Sequence, residues 1–276
     1  MKESEIKALV SLLDDKDQEV ATIVEQQIKS LGEVAIPFLA AEWGNDFDAK
    51  QQQRIEDLIH ELQFTALLAQ LKTWKNENSE DMIEGMWLIV KYLHPDFLLS
   101  QLKEQLNQIY FEAWIDFKSD LHPTDQIRKL NEVFFNRLKF GSNTKNFHSA
   151  SNSMLNVVMD TKKGNPISLC VIYMLVAQKL GIPIFGVNLP NLFVLTYKTE
   201  QLQFYVNVFN RGIIFTKNDI DHFIAQAKLP KSDVFYEPCS HLDIIKRVLR
   251  NLAIAYEKTA DETRQQEIIL MMQALE

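Results

Sequence analysis

The chain has 276 residues, 46% of them hydrophobic and 24% charged, and a net charge of −8. This is the balance of a globular protein long enough for about two domains. The acidic surplus argues against phosphate backbones and anionic lipid as partners, and the basic clusters Lys162-Lys163 and Lys246-Arg247 are too short to offset it.

The two cysteines, Cys170 and Cys239, are far apart and form no Cys-x-x-Cys, which excludes a disulfide framework and a zinc ribbon. No metal and no cofactor are expected. The opening run Met1-Lys2-Glu3-Ser4-Glu5-Ile6-Lys7 has no apolar signal segment. The longest uncharged apolar run, Leu169 to Ala177, is nine residues, short of the roughly 20 that span a bilayer. The expected location is the cytoplasm.

Residues 1–118 are expected to form an all-helical domain. Apolar positions recur at a period of 3.6: Ile6, Leu9, Val10 and Leu13, then Val20, Ile23, Val24, Ile28 and Leu31. Asp14-Asp15-Lys16-Asp17 separates these two helices, Gly32 ends the second, and Ala35-Ile36-Pro37 opens a third. This order resembles one unit of a HEAT-type helical repeat, which would need stacked neighbours to bury its faces. Further helices are expected at about 48–62, 64–74, 80–93 and 96–117. Trp43, Trp74, Trp87 and Trp114 all fall here; core packing is the reading, against an aromatic partner surface. Asp14-Asp15 and Asp46/Asp48 lack the spacing of a calcium loop and read as solvated turns.

Residues 117–124 break the helical run and set the boundary, leaving 119–276 as a second domain. Thr124 is the expected cap of a helix carrying Ile127, Leu130, Phe134 and Leu138 on one stripe. A loop at 140–148, a short helix at 151–160 and a polar turn at 161–165 follow. Asn165 then caps a helix with Pro166 in its first position, apolar around nearly its whole circumference and ended by Gly181. Runs at 184–188, 192–198, 202–209 and 212–215 are rich in β-branched and aromatic residues and read as one sheet. Thr216 and Asp219 form a capping box for a helix over 217–227, and Thr259 to Glu262 one for the last helix. A helical pair occupies about 240–276.

Four phrases occur in order: Asn152-Ser153-x-Leu155-Asn156-x-Val158-x-Asp160; Lys163-Gly164-Asn165-Pro166-Ile167-Ser168-Leu169-x-x-x-Tyr173; Leu180-Gly181-Ile182-Pro183 through Leu189-Pro190; and Tyr205-x-Asn207-x-Phe209-Asn210-x-Gly212. Together they resemble the bacterial Sir-B type transglutaminase-like family, with a closing helical pair similar to a tetratricopeptide-type unit. The resemblance implies an α+β fold: an all-helical N-terminal domain, a transglutaminase-like core with a buried helix on a small antiparallel sheet, and the C-terminal pair. The wider superfamily performs acyl transfer or amide hydrolysis with Cys, His and Asp. A thiolate sits at a helix N-terminus, an imidazole on a facing strand acts as base, and a carboxylate orients that imidazole.

Carried onto this sequence, the nucleophile position is Pro166, the base position Leu192 and the orienting position Asn207. None of the three can perform its role. Loss of a general base alone costs about 10²–10⁴ in rate. A relocated site would draw on Cys170 or Ser168 with His148 or His222. Cys170 is about 6 Å further along the helix axis than Pro166, in surroundings that raise a thiol pKa. Ser168, in the first turn, is expected to be the more accessible of the two. Leu192 is expected to fill the old site and Asn207 to hydrogen-bond within the sheet. Dinucleotide, phosphate-loop, zinc-protease and nucleophile-elbow motifs are absent. The sequence therefore points to a non-catalytic transglutaminase-like protein that binds a protein or peptide partner or acts as a scaffold. The alternative is a cysteine- or serine-dependent amide hydrolase or acyltransferase with a relocated site.

Overall fold

A computed structural model describes residues 2–14, 17–43, 49–230 and 232–276. Asp15, Asp46, Asp48 and the side chain of Asp14 lie outside the described residues, so the acidic turns read from the sequence do too. The chain divides into two compact units, Met1–Thr73 and Trp74–Glu276. The boundary expected near residue 118 falls inside the second unit.

The first unit contains α1 (Glu3–Ser11), α2 (Gln18–Leu31), α3 (Ile36–Trp43) and most of α4 (Ala49–Glu77). Asp17 caps α2 by accepting from the Glu19 amide at 2.9 Å, and Gly32 follows it with φ 64°. The helical stripes meet in one core of Ile6, Val10, Val24, Ile28, Leu39, Ile55, Leu58 and Leu62. Arg54 of α4 ties α2 and the turn before it to α4, donating to Glu25 Oε2 at 2.9 Å and to the carbonyls of Leu13 and Ala21 at 3.4 and 3.3 Å. The break expected near residue 63 does not exist. Leu62-Gln63-Phe64-Thr65 holds neither glycine nor proline, and α4 runs straight through it.

The second unit continues with α5 (Met82–Leu93), α6 (Leu99–Trp114), α7 (Pro123–Asn131), a π-helical turn (Glu132–Arg137) and α8 (Leu155–Thr161). His122, not Thr124, caps α7, its Nδ1 accepting from the Thr124 amide at 3.3 Å. Two-residue strands β1 (Gly141–Ser142) and β2 (Lys163–Gly164) pair in parallel. Then come α9 (Pro166–Lys179), the antiparallel sheet β3 (Ile184–Leu189), β4 (Leu192–Lys198), β5 (Gln203–Asn207) and β6 (Ile213–Phe215), and the helices α10 (Lys217–Gln226), α11 (His241–Lys258) and α12 (Glu262–Ala274). The fold is α+β. Among the described residues, no helix is long and apolar enough to cross a membrane.

Asp261 caps α12, accepting from the Arg264 amide, where the sequence pointed to Thr259. The expected box before α10 is present: Asp219 Oδ2 accepts from the Thr216 amide at 2.7 Å. Of the four tryptophans, Trp74 is buried and Trp87 partly buried, their indole N–H groups donating to the carbonyls of Asp81 and Phe97. Trp43 and Trp114 are exposed, so the inward-facing expectation fails for them.

The sheet carries helices on both faces. α9 and α11 cover one, packing on β3 and β4. α10 covers the other, where Ile220 and Ile224 meet Val187, Leu189, Val194 and Tyr205. Strand register makes side-chain direction explicit: Leu189 lies opposite Leu192, and Val187 opposite Val194, so these four share the α10 face. Asn188 and Phe193, also opposed, share the α9 face.

Candidate functional site

The start of α9 is built from short-range hydrogen bonds. Asn165 Oδ1 accepts from the Ser168 amide at 3.0 Å, and Asn165 Nδ2 donates to Ser153 Oγ at 3.0 Å. Pro166 takes the first helical position, where a missing N–H costs nothing. Asn152 holds the preceding loop, donating to the carbonyls of Asn146 and Phe147 at 2.7 and 3.0 Å. The phrase around Asn152 and Ser153 thus anchors the loop and the helix start to each other.

A cleft of about 250 Å³ opens at this point. Ser153, Asn165, Pro166 and Ile167 contribute from the helix start, and Phe147, His148 and Ser149 from the loop. Asn191 and Phe193 contribute from the β3–β4 turn and β4, while Arg247, Asn251 and Ile254 come from α11. The lining contains no carboxylate.

Of the residues matched to the superfamily's reactive positions, Pro166 lies in the cleft. Leu192 does not fill it. It packs on the opposite face of the sheet, against the cluster of Val194, Tyr205 and Ile220. Asn207 ends β5, and its Oδ1 accepts from the Asn210 amide at 3.0 Å, capping a 3-10 turn rather than bonding within the sheet. The three positions therefore do not converge on one point.

The relocated candidates are equally separated. Ser168 is fully buried, contrary to the expected accessibility, and its hydroxyl donates to the Asn165 carbonyl at 3.2 Å. Pro166 and Ile167 line the cleft from this turn, whereas Ser168 does not. Cys170 is fully buried, with Sγ 3.6 Å from the Phe193 carbonyl. Burial pushes this thiol far above its ordinary pKa, outweighing a backbone hydrogen bond near Val208. His148 is exposed at the cleft, whereas neither Ser168 nor Cys170 lines it. His222 is exposed on α10, with the sheet between it and α9. Among the described residues, no group of three or more His, Cys, Asp or Glu could hold a metal ion.

Sequence reasoning did not single out Arg247 as a site residue. Its guanidinium is half-buried at the cleft and donates to Asn188 Oδ1 at 3.3 Å. Burial first, then the nearby Arg250, pull its pKa below the usual arginine value. The signal was beyond reach, because the four strands of the sheet and α10 separate α11 from the helix start in the sequence.

Several proteins are similar to this chain in sequence. A UPF0162 protein of Xylella fastidiosa is 28% identical over 204 residues, covering 68% of this chain and 71% of the relative. The UPF0162 protein YchA of Escherichia coli is 23% identical over 194 residues, 70% of this chain and 71% of its own. Mouse F-box only protein 21 is 30% identical over 105 residues, but these are 35% of this chain and 17% of that protein. No solved structure matches. Residues 100–250, more than half of the chain, match the transglutaminase-like superfamily, and the protein belongs to it.

Proposed function

We propose that this protein is a non-catalytic, Sir-B type member of the superfamily that binds a protein or peptide, or serves as a scaffold for one, in the cytoplasm. Its first unit is read as HEAT-like on the helix order and the Gly32 stop. The observation that carries the non-catalytic reading is the chemistry at the start of α9. Pro166, matched to the nucleophile position by the resemblance alone, begins the helix, and the nearest hydroxyl and thiol on the same helix, Ser168 and Cys170, are sealed from solvent. Covalent catalysis needs a nucleophile within hydrogen-bond reach of a base and open to substrate. The burial of both groups weighs against a relocated hydrolase or acyltransferase.

The test is turnover. Purified protein is incubated with fluorogenic amide, ester and glutamine-donor substrates, beside Cys170→Ala and Ser168→Ala variants. The expected result is no turnover above buffer. Turnover abolished by either substitution would refute the proposal.

A further inference from the structure

The cleft at the start of α9 presents donors without acceptors to match them. Arg247 offers five N–H donors, one of which goes to Asn188. No carboxylate pairs with it among the described residues, and Arg250 is the charge that acts on it. Ser153, 2% exposed, accepts from Asn165 Nδ2, and no hydrogen bond among the described residues takes its own hydroxyl proton. The Ile167 amide, in the first turn of α9, also lacks an acceptor among the described residues: Asn165 Oδ1 takes the Ser168 amide and the Asn165 carbonyl takes that of Leu169. All three residues line the same cleft. A half-buried guanidinium with no counter-charge is an incomplete arrangement, since removing a cation from water is costly unless an anion joins it. Helix-start amides favour negative charge in the same place.

The remaining lining decides which anion. Phe147 and Ile254, 44% and 38% exposed, stand at the cleft as apolar surface, with Phe193 and Pro166 beside them. The lining holds one permanent positive charge. A monoanion joined to an apolar group fits both features, whereas a phosphate dianion would call for a second permanent cation. We propose that this cleft captures the C-terminal carboxylate of a peptide ending in an apolar residue, with Arg247 gripping the carboxylate and the Ser153 hydroxyl and Ile167 amide completing its hydrogen bonds. The inference rests on the binding reading above and names its ligand. A planar guanidinium and a carboxylate pair through two parallel hydrogen bonds, and capture of a terminal carboxylate by backbone and side-chain donors is an established mode of peptide recognition.

The probes are N-acetyl-alanyl-leucine, its C-terminal amide and inorganic phosphate, titrated into the full chain with amide chemical shifts of the protein as readout. The free acid is expected to saturate, shift Ile167, and bind about tenfold or more tighter than the amide. Arg247→Met should abolish that preference, Arg247→Lys should retain part of it, and Arg250→Gln should change affinity less than about threefold. Circular dichroism of each variant establishes that it is folded. Equal binding of acid and amide, an unaffected Arg247→Met, or phosphate displacing the acid at equal concentration would each overturn the proposal. The same samples are followed for peptide cleavage. Cleavage with a retained acid preference refutes the non-catalytic reading and leaves this site standing, whereas an intact, unbound peptide refutes this site alone.

Discussion

Gly164→Ala tests the packing at the helix start directly. Gly164 sits in β2, buried, paired with Ser142. An alanine Cβ there would lie 2.5 Å from Ser168 Oγ, 2.8 Å from Val158 Cγ1 and 3.3 Å from the Leu169 Cγ. The first two are shorter than side-chain contacts tolerate, and neither neighbour is the free end of a flexible chain. Overpacking of this kind costs about 1–3 kcal/mol. Displacing Ser168 Oγ from its 3.2 Å bond to the Asn165 carbonyl adds about 1 kcal/mol. The expected destabilisation is therefore about 2–4 kcal/mol. Because the chain has two compact units, a single unfolding transition cannot be assumed. Hydrogen exchange of α9 amides under native conditions reads the affected unit by itself. Ser168→Ala removes one of the two close contacts, so the double variant should show a favourable coupling of about 1 kcal/mol. Gly164→Ala within about 0.5 kcal/mol of the parent, or strict additivity with Ser168→Ala, would refute the crowding argument.

Cys170 and Cys239 should resist iodoacetamide near neutral pH, because burial raises both thiols, Cys239 to about 12. Native labelling at least about a thousandfold slower than after denaturation is expected, and rapid stoichiometric labelling of Cys170 would refute the sealed-helix description. Tyr173→Phe should cost about 1–2 kcal/mol, because the Tyr173 hydroxyl donates to Asn131 Oδ1 at 2.9 Å and Asn131 Nδ2 donates to the Gly212 carbonyl at 2.8 Å; native-state hydrogen exchange of α9 amides checks it. Burial acts to raise the Glu25 pKa, but Arg54 and Lys29 outweigh it and hold the carboxyl below its ordinary value. With the folded value depressed, the stabilisation is present above the unfolded pKa of about 4.3 and lost as pH falls through the folded one. Arg54→Met should destabilise the first unit by about 1–2 kcal/mol near neutrality, much of it from the two carbonyl bonds because the ion pair is partly screened. The gap to the parent protein should narrow below about pH 4, as read by exchange of α2 amides.

The strands and the buried helix were legible because their punctuation is strong. Asn165-Pro166 before α9 and Gly181 after it bound an apolar run that has no polar side, and Pro190-Asn191 separates two β-rich runs. The orientation of β4 was not legible. Leu192 and Phe193 are both apolar, and the residues 193–197 are all buried. With helices on both faces, alternation carries no polar mark, so parity cannot tell which residue meets α9. Leu192 came to the old site through the resemblance alone, and nothing in the pattern of β4 could have shown that Phe193 and Asn191 reach the cleft instead. Gly164 read as a turn residue for a related reason: the need for a missing Cβ arises from Val158 and Ser168, which sequence spacing alone does not bring together.

Several residues of the matched phrases are structural. Asn152 ties the loop backbone, Asn165 caps α9, Gly164 admits Ser168 and Val158, and Gly186 admits Phe193, whose ring would lie 2.7 Å from an added Cβ. Tyr173 reaches Gly212 through Asn131. Every one of these roles is independent of a thiol, an imidazole or a carboxylate. Selection for folding therefore suffices to keep such phrases in a chain whose helix begins with proline. A likeness carried by them is evidence for architecture, and a claim about chemistry has to rest on what the cleft presents: one guanidinium, a helix start and an apolar rim.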